Sequence, residues 1–240
     1  MKTTTLTKTT LTLAAAAFLA PTSASQAAVV NVDFGETPYT GASANGPIAS
    51  GSVWNQFSIS NDFAGAVNGQ SMNNLLDDSG TPTTVGIAFG TGWAGFFNAA
   101  GPNNLQRDRA FTSGGGTGTF TISGLTPGGT YNLALMVDSA DNGSIATDYT
   151  IGTTTMMAFG GSAGTDANGA LTFTDGQTHA LFSGISASAG GEITFSATQA
   201  AGSSFASFPG LQIEDSIIPE PSSAALLGLG GLALIRRRRK

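Results

Sequence analysis

Through the middle of the chain, apolar and polar residues alternate one by one, in short runs separated by turn-forming residues. In VVNVDF, Val30, Val32 and Phe34 fall on one side, and Asn31 and Asp33 on the other. TVGIAFG aligns Val85, Ile87 and Phe89, and GTFTIS aligns Phe120 with Ile122. YNLALMV aligns Tyr131, Leu133, Leu135 and Val137. DYTIG, MMAF, LTFT, HALFSGI, EITFSA and GLQIE continue the pattern. A period of two belongs to a strand with one buried face, because successive side chains point to opposite sides. Gly, Asn, Asp and Ser between the runs supply turns. No amphipathic helix stands out between Ala28 and Ile218. The pattern predicts an all-β fold: an antiparallel two-sheet β-sandwich, of jelly-roll type, over residues 28–218.

The two ends break this pattern. At the start, Lys2 and Lys8 precede an apolar stretch from Leu11 to Ala20, and small residues follow, with Ser25 and Ala27 placed for cleavage before Ala28. Ten apolar residues are too few to anchor a chain across a bilayer, so residues 1–27 read as a signal helix that is removed on export. At the other end, Ser222 to Ile235 is 14 residues. As a helix that stretch would be about 21 Å long, marginal against a hydrocarbon core of about 30 Å. Five cations close the chain, Arg236, Arg237, Arg238, Arg239 and Lys240. Under the positive-inside bias they stay cytoplasmic. The expected organisation is therefore a signal peptide (1–27), a β-sandwich domain (28–218) and a tail (219–240) with a short apolar helix that tethers the protein to the membrane in transit.

The tail carries a resemblance. Pro219, Glu220 and Pro221, followed by Ser222 and Ser223, an apolar Gly/Leu/Ala stretch and the arginine cluster Arg236–Arg239, resemble a PEP-CTERM sorting signal. The resemblance implies an exported protein of a Gram-negative bacterium, handled by the secretion machinery and then by an exosortase-type sorting enzyme. It implies a final place at the cell surface or outside the cell, often alongside extracellular polysaccharide.

Charge narrows the partners. Between Lys8 and Arg236 the only cations are Arg107 and Arg109, against fifteen acidic residues, which leaves that stretch near −13. Nucleic acid is excluded as a partner, since phosphate binding needs clustered Lys and Arg. There is no cysteine, hence no disulfide and no thiolate metal site. The 34 glycines are 14% of the chain, about twice the usual share, which fits a fold with many turns.

Candidate chemistry is sparse. Gly160-Gly161-Ser162-Ala163-Gly164 has the spacing of a nucleophile elbow, with Asp175 and His179 after it. No helix pattern follows, whereas the elbow needs a strand-turn-helix, so a chance match in a Gly- and Ser-rich chain is the expectation. Gly90-Thr91-Gly92-Trp93-Ala94-Gly95 has dinucleotide-fingerprint spacing but no following helix, and reads as a turn. Asp138, Asp141, Asn142, Gly143 and Asp148 gather oxygen ligands without the EF-hand order, and solvated turn carboxylates are expected. His179 is the only histidine, with no second imidazole to share a transition metal. No catalytic residue, metal or cofactor is expected.

One group stands out. Arg107-Asp108-Arg109 follows Trp93, Phe96 and Phe97, and aromatic faces beside guanidinium groups make a platform for a sugar or an acidic polysaccharide. Trp93, Arg107 and Arg109 are thus the candidate glycan-binding residues. The opposing expectation is that the arginines pair with nearby acids and hold a loop down. Trp54, within VWNQFSI, is expected in the core.

Two further resemblances concern the fold. Leu125-Thr126-Pro127-Gly128 with Tyr131 resembles the tyrosine corner of fibronectin type III domains, which implies that the Tyr131 hydroxyl ties back to backbone. VNVDFG, VWN and GLQI resemble patches of galactose-binding-type jelly rolls, which implies a carbohydrate-binding module architecture. The expected function is a non-enzymatic surface or matrix protein, with a glycan-binding protein second and a polysaccharide-active enzyme third.

Overall fold

A computed structural model describes residues 28–35, 46–48, 53–59, 67–96, 108–138, 145–160, 164–165 and 171–215. Among the described residues there are sixteen strands and no helix. The first eight are β1 (Val29–Phe34), β2 (Asn55–Phe57), β3 (Ser71–Met72), β4 (Gly86–Phe89), β5 (Ala94–Phe96), β6 (Arg109–Ser113), β7 (Thr117–Ser123) and β8 (Thr130–Met136). The rest are β9 (Ala146–Ile151), β10 (Thr154–Phe159), β11 (Gly164–Thr165), β12 (Leu171–Thr172), β13 (His179–Ser186), β14 (Ile193–Gln199), β15 (Phe205–Phe208) and β16 (Gly210–Asp215).

A five-stranded sheet has the order β13-β8-β16-β1-β2, and a six-stranded sheet the order β10-β9-β14-β7-β4-β3. A three-stranded sheet, β15-β6-β5, and the β11-β12 pair complete the set. The strand pairs are antiparallel apart from β1 and β2, which run parallel. The two large sheets share one hydrophobic cluster. Val30, Val32, Leu133, Leu135, Leu211 and Ile213 enter it from the first, and Ile87, Phe120, Ile122, Tyr149 and Phe195 from the second.

At the centre of that cluster is a set of rings. Phe208, fully buried, lies 4.8 Å from Phe34, 5.1 Å from Phe120, 5.2 Å from Phe195 and 5.7 Å from Trp93, measured between centroids. Most of these pairs are edge-to-face, the arrangement that the ring quadrupole favours. Phe34 comes from the five-stranded sheet and Phe120 and Phe195 from the six-stranded one, so this ring joins the two.

The alternation expected of β7 is present: Phe120 and Ile122 face the core while Thr119 and Thr121 are half-exposed. The alternation expected of β1 is not. Asn31 and Asp33 are 0% and 1% exposed, so both faces of the strand are covered. The cause is a polar layer laid over the second face. Asn31 donates to the carbonyl of Val53 (2.8 Å) and accepts from Gln212 Nε2 (2.6 Å), whose Oε1 accepts from the Ile48 amide (2.7 Å). Asn55 donates to the carbonyls of Asn31 and Leu76 and accepts from the Leu76 amide (2.8 Å). Buried polar groups persist when they are hydrogen-bonded, and here each amide is met by backbone or by another amide. Trp54, expected in the core, is half-buried.

The tyrosine corner is formed as expected. The Tyr131 hydroxyl accepts a hydrogen bond from the Thr126 amide at 2.9 Å. Gly128 supports the turn with φ +70°, a conformation in which a Cβ would be strained. Register also fixes the two poles of the body. β1 and β16 pair antiparallel with Val29 opposite Glu214, so Ala28 and Asp215 emerge side by side at one pole. Gly35 and Asp138 lie at the other ends of β1 and β8, and the Asp108 carboxylate packs against Gly35. The expected signal helix and C-terminal apolar helix lie outside the described residues.

Candidate functional site

β5, β6 and β15 form the small sheet that positions Arg109. Alternate residues of β6 point to opposite faces, so Ala110 and Thr112 turn inward while Arg109 and Phe111 share the other side. Phe96 stands opposite Arg109 across the β5–β6 pair. The guanidinium lies between two rings, 4.4 Å from the centroid of Phe96 and 4.7 Å from that of Phe205. It forms an ion pair with Asp138, whose carboxylate is fully buried beyond the end of β8. The Asp138 amide donates to Ser207 Oγ at 2.9 Å.

Behind this pair is a buried polar column. The Ser207 amide donates to Thr147 Oγ1 (2.8 Å), and the Tyr149 hydroxyl lies against the carbonyls of Ser207 (2.6 Å) and Met136. Burial pushes the Tyr149 hydroxyl well above its ordinary value of 10.0, with the Thr147 contact opposing it weakly, so this phenol stays protonated and donates. The arrangement joins β6, β8, β9 and β15 through charge and hydrogen bonds. Chemically it is a clamp: a cation held by two rings and one carboxylate, with little of its surface open to solvent.

The structure gives structural roles to two of the three sequence-predicted glycan residues. Trp93 is a correction: it is 1% exposed and offers no open aromatic face. Its indole N–H donates to the Thr119 carbonyl at 2.6 Å, and its ring covers Gly118, where a Cβ would fall 2.4 Å from the ring. Arg109 follows the opposing expectation, pairing with an acid, and its side chain is only 10% exposed. Arg107 lies outside the described residues, as do Phe97, Ser162 and Asp141–Gly143.

The other candidates resolve as structural parts. Gly92 takes φ +88° in the turn from β4 to β5, and strand follows it rather than helix. Asp138 is taken by Arg109, and Asp148 sits half-buried in β9. Asp175 Oδ1 accepts from the amides of Gly176 and Leu181 at 2.9 Å. His179 is buried, with Nδ1 3.1 Å from Thr178 Oγ1. Burial draws its pKa below the ordinary 6.5, and the nearby charge of Asp175 works against that shift.

Sequence reasoning missed two local devices. Asp77 Oδ1 accepts from Ser79 Oγ (2.6 Å) and from the amides of Ser79 (3.0 Å) and Thr81 (2.8 Å). The Ser79 hydroxyl, with these amides, holds the Asp77 carboxyl below its usual value. The string Asp-Asp-Ser-Gly is a turn former for that reason and was the available signal. The second device is the Asn31–Gln212 pair, signalled only by amides standing in otherwise apolar strands.

The PEP-CTERM protein-sorting motif matches residues 218–240. The match begins one residue before Pro219 and takes in Ile218. It indicates an exported, envelope-targeted protein whose tail is processed by exosortase. No curated protein matches the chain.

Proposed function

We propose that this is a non-enzymatic protein of the cell surface or extracellular matrix, released from its membrane tether by exosortase-type processing of the tail. The observation that carries the reading is the sorting motif at residues 218–240, directly behind an all-β body. In this reading residues 1–27 are removed on export, and the body is a two-sheet sandwich of jelly-roll type. Pro219, Glu220 and Pro221 mark the processing site, and Arg236–Arg239 hold the tail end in the cytoplasm until the sorting step. The ring-filled core and the Arg109–Asp138 clamp support a durable scaffold role, because both spend charge and aromatic surface inside the molecule rather than on a ligand.

Intact-mass analysis of the surface and medium fractions of the producing cells tests this. Mature protein is expected to begin at Ala28 and to lack Arg236–Lys240. Surface protein retaining the full basic tail would leave a plain membrane anchor in place of sorting. A glycan panel against the mature protein tests the non-ligand part, and tight binding or turnover of a polysaccharide would overturn it.

A further inference from the structure

The two large sheets end in four edge strands, and three of them are built against further pairing. β2 has three residues and β3 two, and the pairing of β13 shifts register between Phe182 and Ile185. Short edges and bulges are devices by which native sheets avoid adding a strand from elsewhere. β10 has neither. It runs six residues in unbroken register with β9, and Gly152–Gly160 (GTTTMMAFG) contains no charge and no proline. Met157 and Phe159, 40% and 46% exposed, are the large hydrophobic side chains that stand out to solvent among the described residues.

The backbone of β10 shows which groups are left over. The Phe159 amide donates to the Gly176 carbonyl, away from β9, while the Gly160 amide turns back to the Ile145 carbonyl. Residues of an antiparallel strand alternate in this way, so Thr155 and Met157 also direct their N–H and C=O groups outward. Among the described residues nothing meets those four groups. At Phe159 the Gly176 carbonyl closes the edge, so the open stretch is short.

We propose that β10 pairs antiparallel with β10 of a second copy of this chain, about a two-fold axis through Met156. That register sets Thr155 of each copy opposite Met157 of the other. The outward groups of the two copies then meet in four hydrogen bonds, each copy supplying what the other lacks. This self-complementarity selects a second copy over an unrelated chain. Charge does so too. Asp148 stands opposite Met157 on β9, and pairing would hold the two Asp148 groups three strand spacings apart, about 14 Å. That exceeds the screening length of about 8 Å at physiological salt. The contact is isologous, so it closes as a dimer and leaves no β10 edge for a third copy. The pairing belongs to the body and does not rest on the sorting route.

The absence of native cysteine makes the register testable. Thr155→Cys and Met157→Cys are made singly in the full chain in detergent and oxidised alone and as an equal mixture. The rate of each disulfide dimer is read by mass. Residues facing across a hydrogen-bonded pair have Cα atoms about 5.5 Å apart, within disulfide reach. Thr155 to Thr155, or Met157 to Met157, spans about 8 Å, beyond the limit of about 7 Å. The mixed disulfide is therefore expected to form at least about tenfold faster than either homodisulfide. Ser183→Cys, exposed on β13, reports collisions between copies, including any that the apolar tail brings about, and should fall with the homodisulfides. All three positions are exposed, and the strand band of circular dichroism checks that each variant is folded. Homodisulfides as fast as the mixed one, or a mixed rate no higher than that of Ser183→Cys, overturn the proposal.

Discussion

Replacing Phe208 by alanine removes a ring that packs against both the five-stranded sheet and the six-stranded one. Phe208 is fully buried, and its neighbours Phe34, Phe120 and Phe195 come from β1 in the five-stranded sheet and from β7 and β14 in the six-stranded one. Truncating a buried phenylalanine costs about 3–5 kcal/mol, the upper part applying where the surroundings cannot collapse. Collapse is hindered here because the surrounding groups are rigid rings on separate strands. Each lost ring pair adds about 0.5–1.5 kcal/mol to what buried area alone predicts, which also argues for the upper part. A domain of this size is stable by about 5–15 kcal/mol in all. With about 2–4 °C per kcal/mol for chains of 150–250 residues, Phe208→Ala should lower Tm by roughly 6–20 °C. Thermal unfolding followed at the strand band of circular dichroism reads the shift, with Phe159→Ala as the comparison. Phe159 is 46% exposed on β10, and its truncation should move stability by about 0.5 kcal/mol or less. A Phe208→Ala shift no larger than that of Phe159→Ala would refute the claim that this ring joins the sheets.

Arg109→Ala leaves the Asp138 carboxylate buried without its cation and should cost about 3–5 kcal/mol, while Arg109→Ala/Asp138→Ala should recover part of that loss. Urea midpoints of the single and double variants check it. Tyr131→Phe removes the acceptor for the Thr126 amide and should cost about 1 kcal/mol, with faster hydrogen exchange confined to the Thr126 turn. His179 has a pKa below 6.5 in the folded state, so its contribution is fully present above about pH 6.5. That contribution declines as pH falls from there through the folded value, because the unfolded chain takes up the proton first. With a single histidine the imidazole signal can be followed directly by NMR, and His179→Gln should flatten the stability slope just below pH 6.5.

The strands were legible where one face meets the core and the other meets solvent. β7 and β14 show this, with Phe120, Ile122, Ile193 and Phe195 inward and threonine or serine between them. β1 was misread because the covering of its second face comes from chain far away: Gln212 meets Asn31 across 181 positions. Alternation reports which residues share a side and is silent on whether something else covers the polar one. The site was less legible for a related reason. Trp93 and Arg109 have the residue types of a sugar platform, but types do not carry orientation. The glycine that receives the indole, Gly118, and the acid that receives the guanidinium, Asp138, lie 25 and 29 positions away. The tyrosine corner was legible because its whole geometry sits within six residues of chain.

The side-by-side emergence of Ala28 and Asp215 bears on the proposed sorting route. Only Ser216 and Ile217 separate Asp215 from the start of the sorting motif, a reach of about 10 Å to Ile218 even when fully extended. Under the proposed sorting route, a tail in the bilayer would put the pole of Ala28 and Asp215 on the membrane side. The opposite pole, at Gly35 and Asp138, would then face away from the membrane. In that orientation the Arg109–Asp138 clamp lies near the outward end of the body.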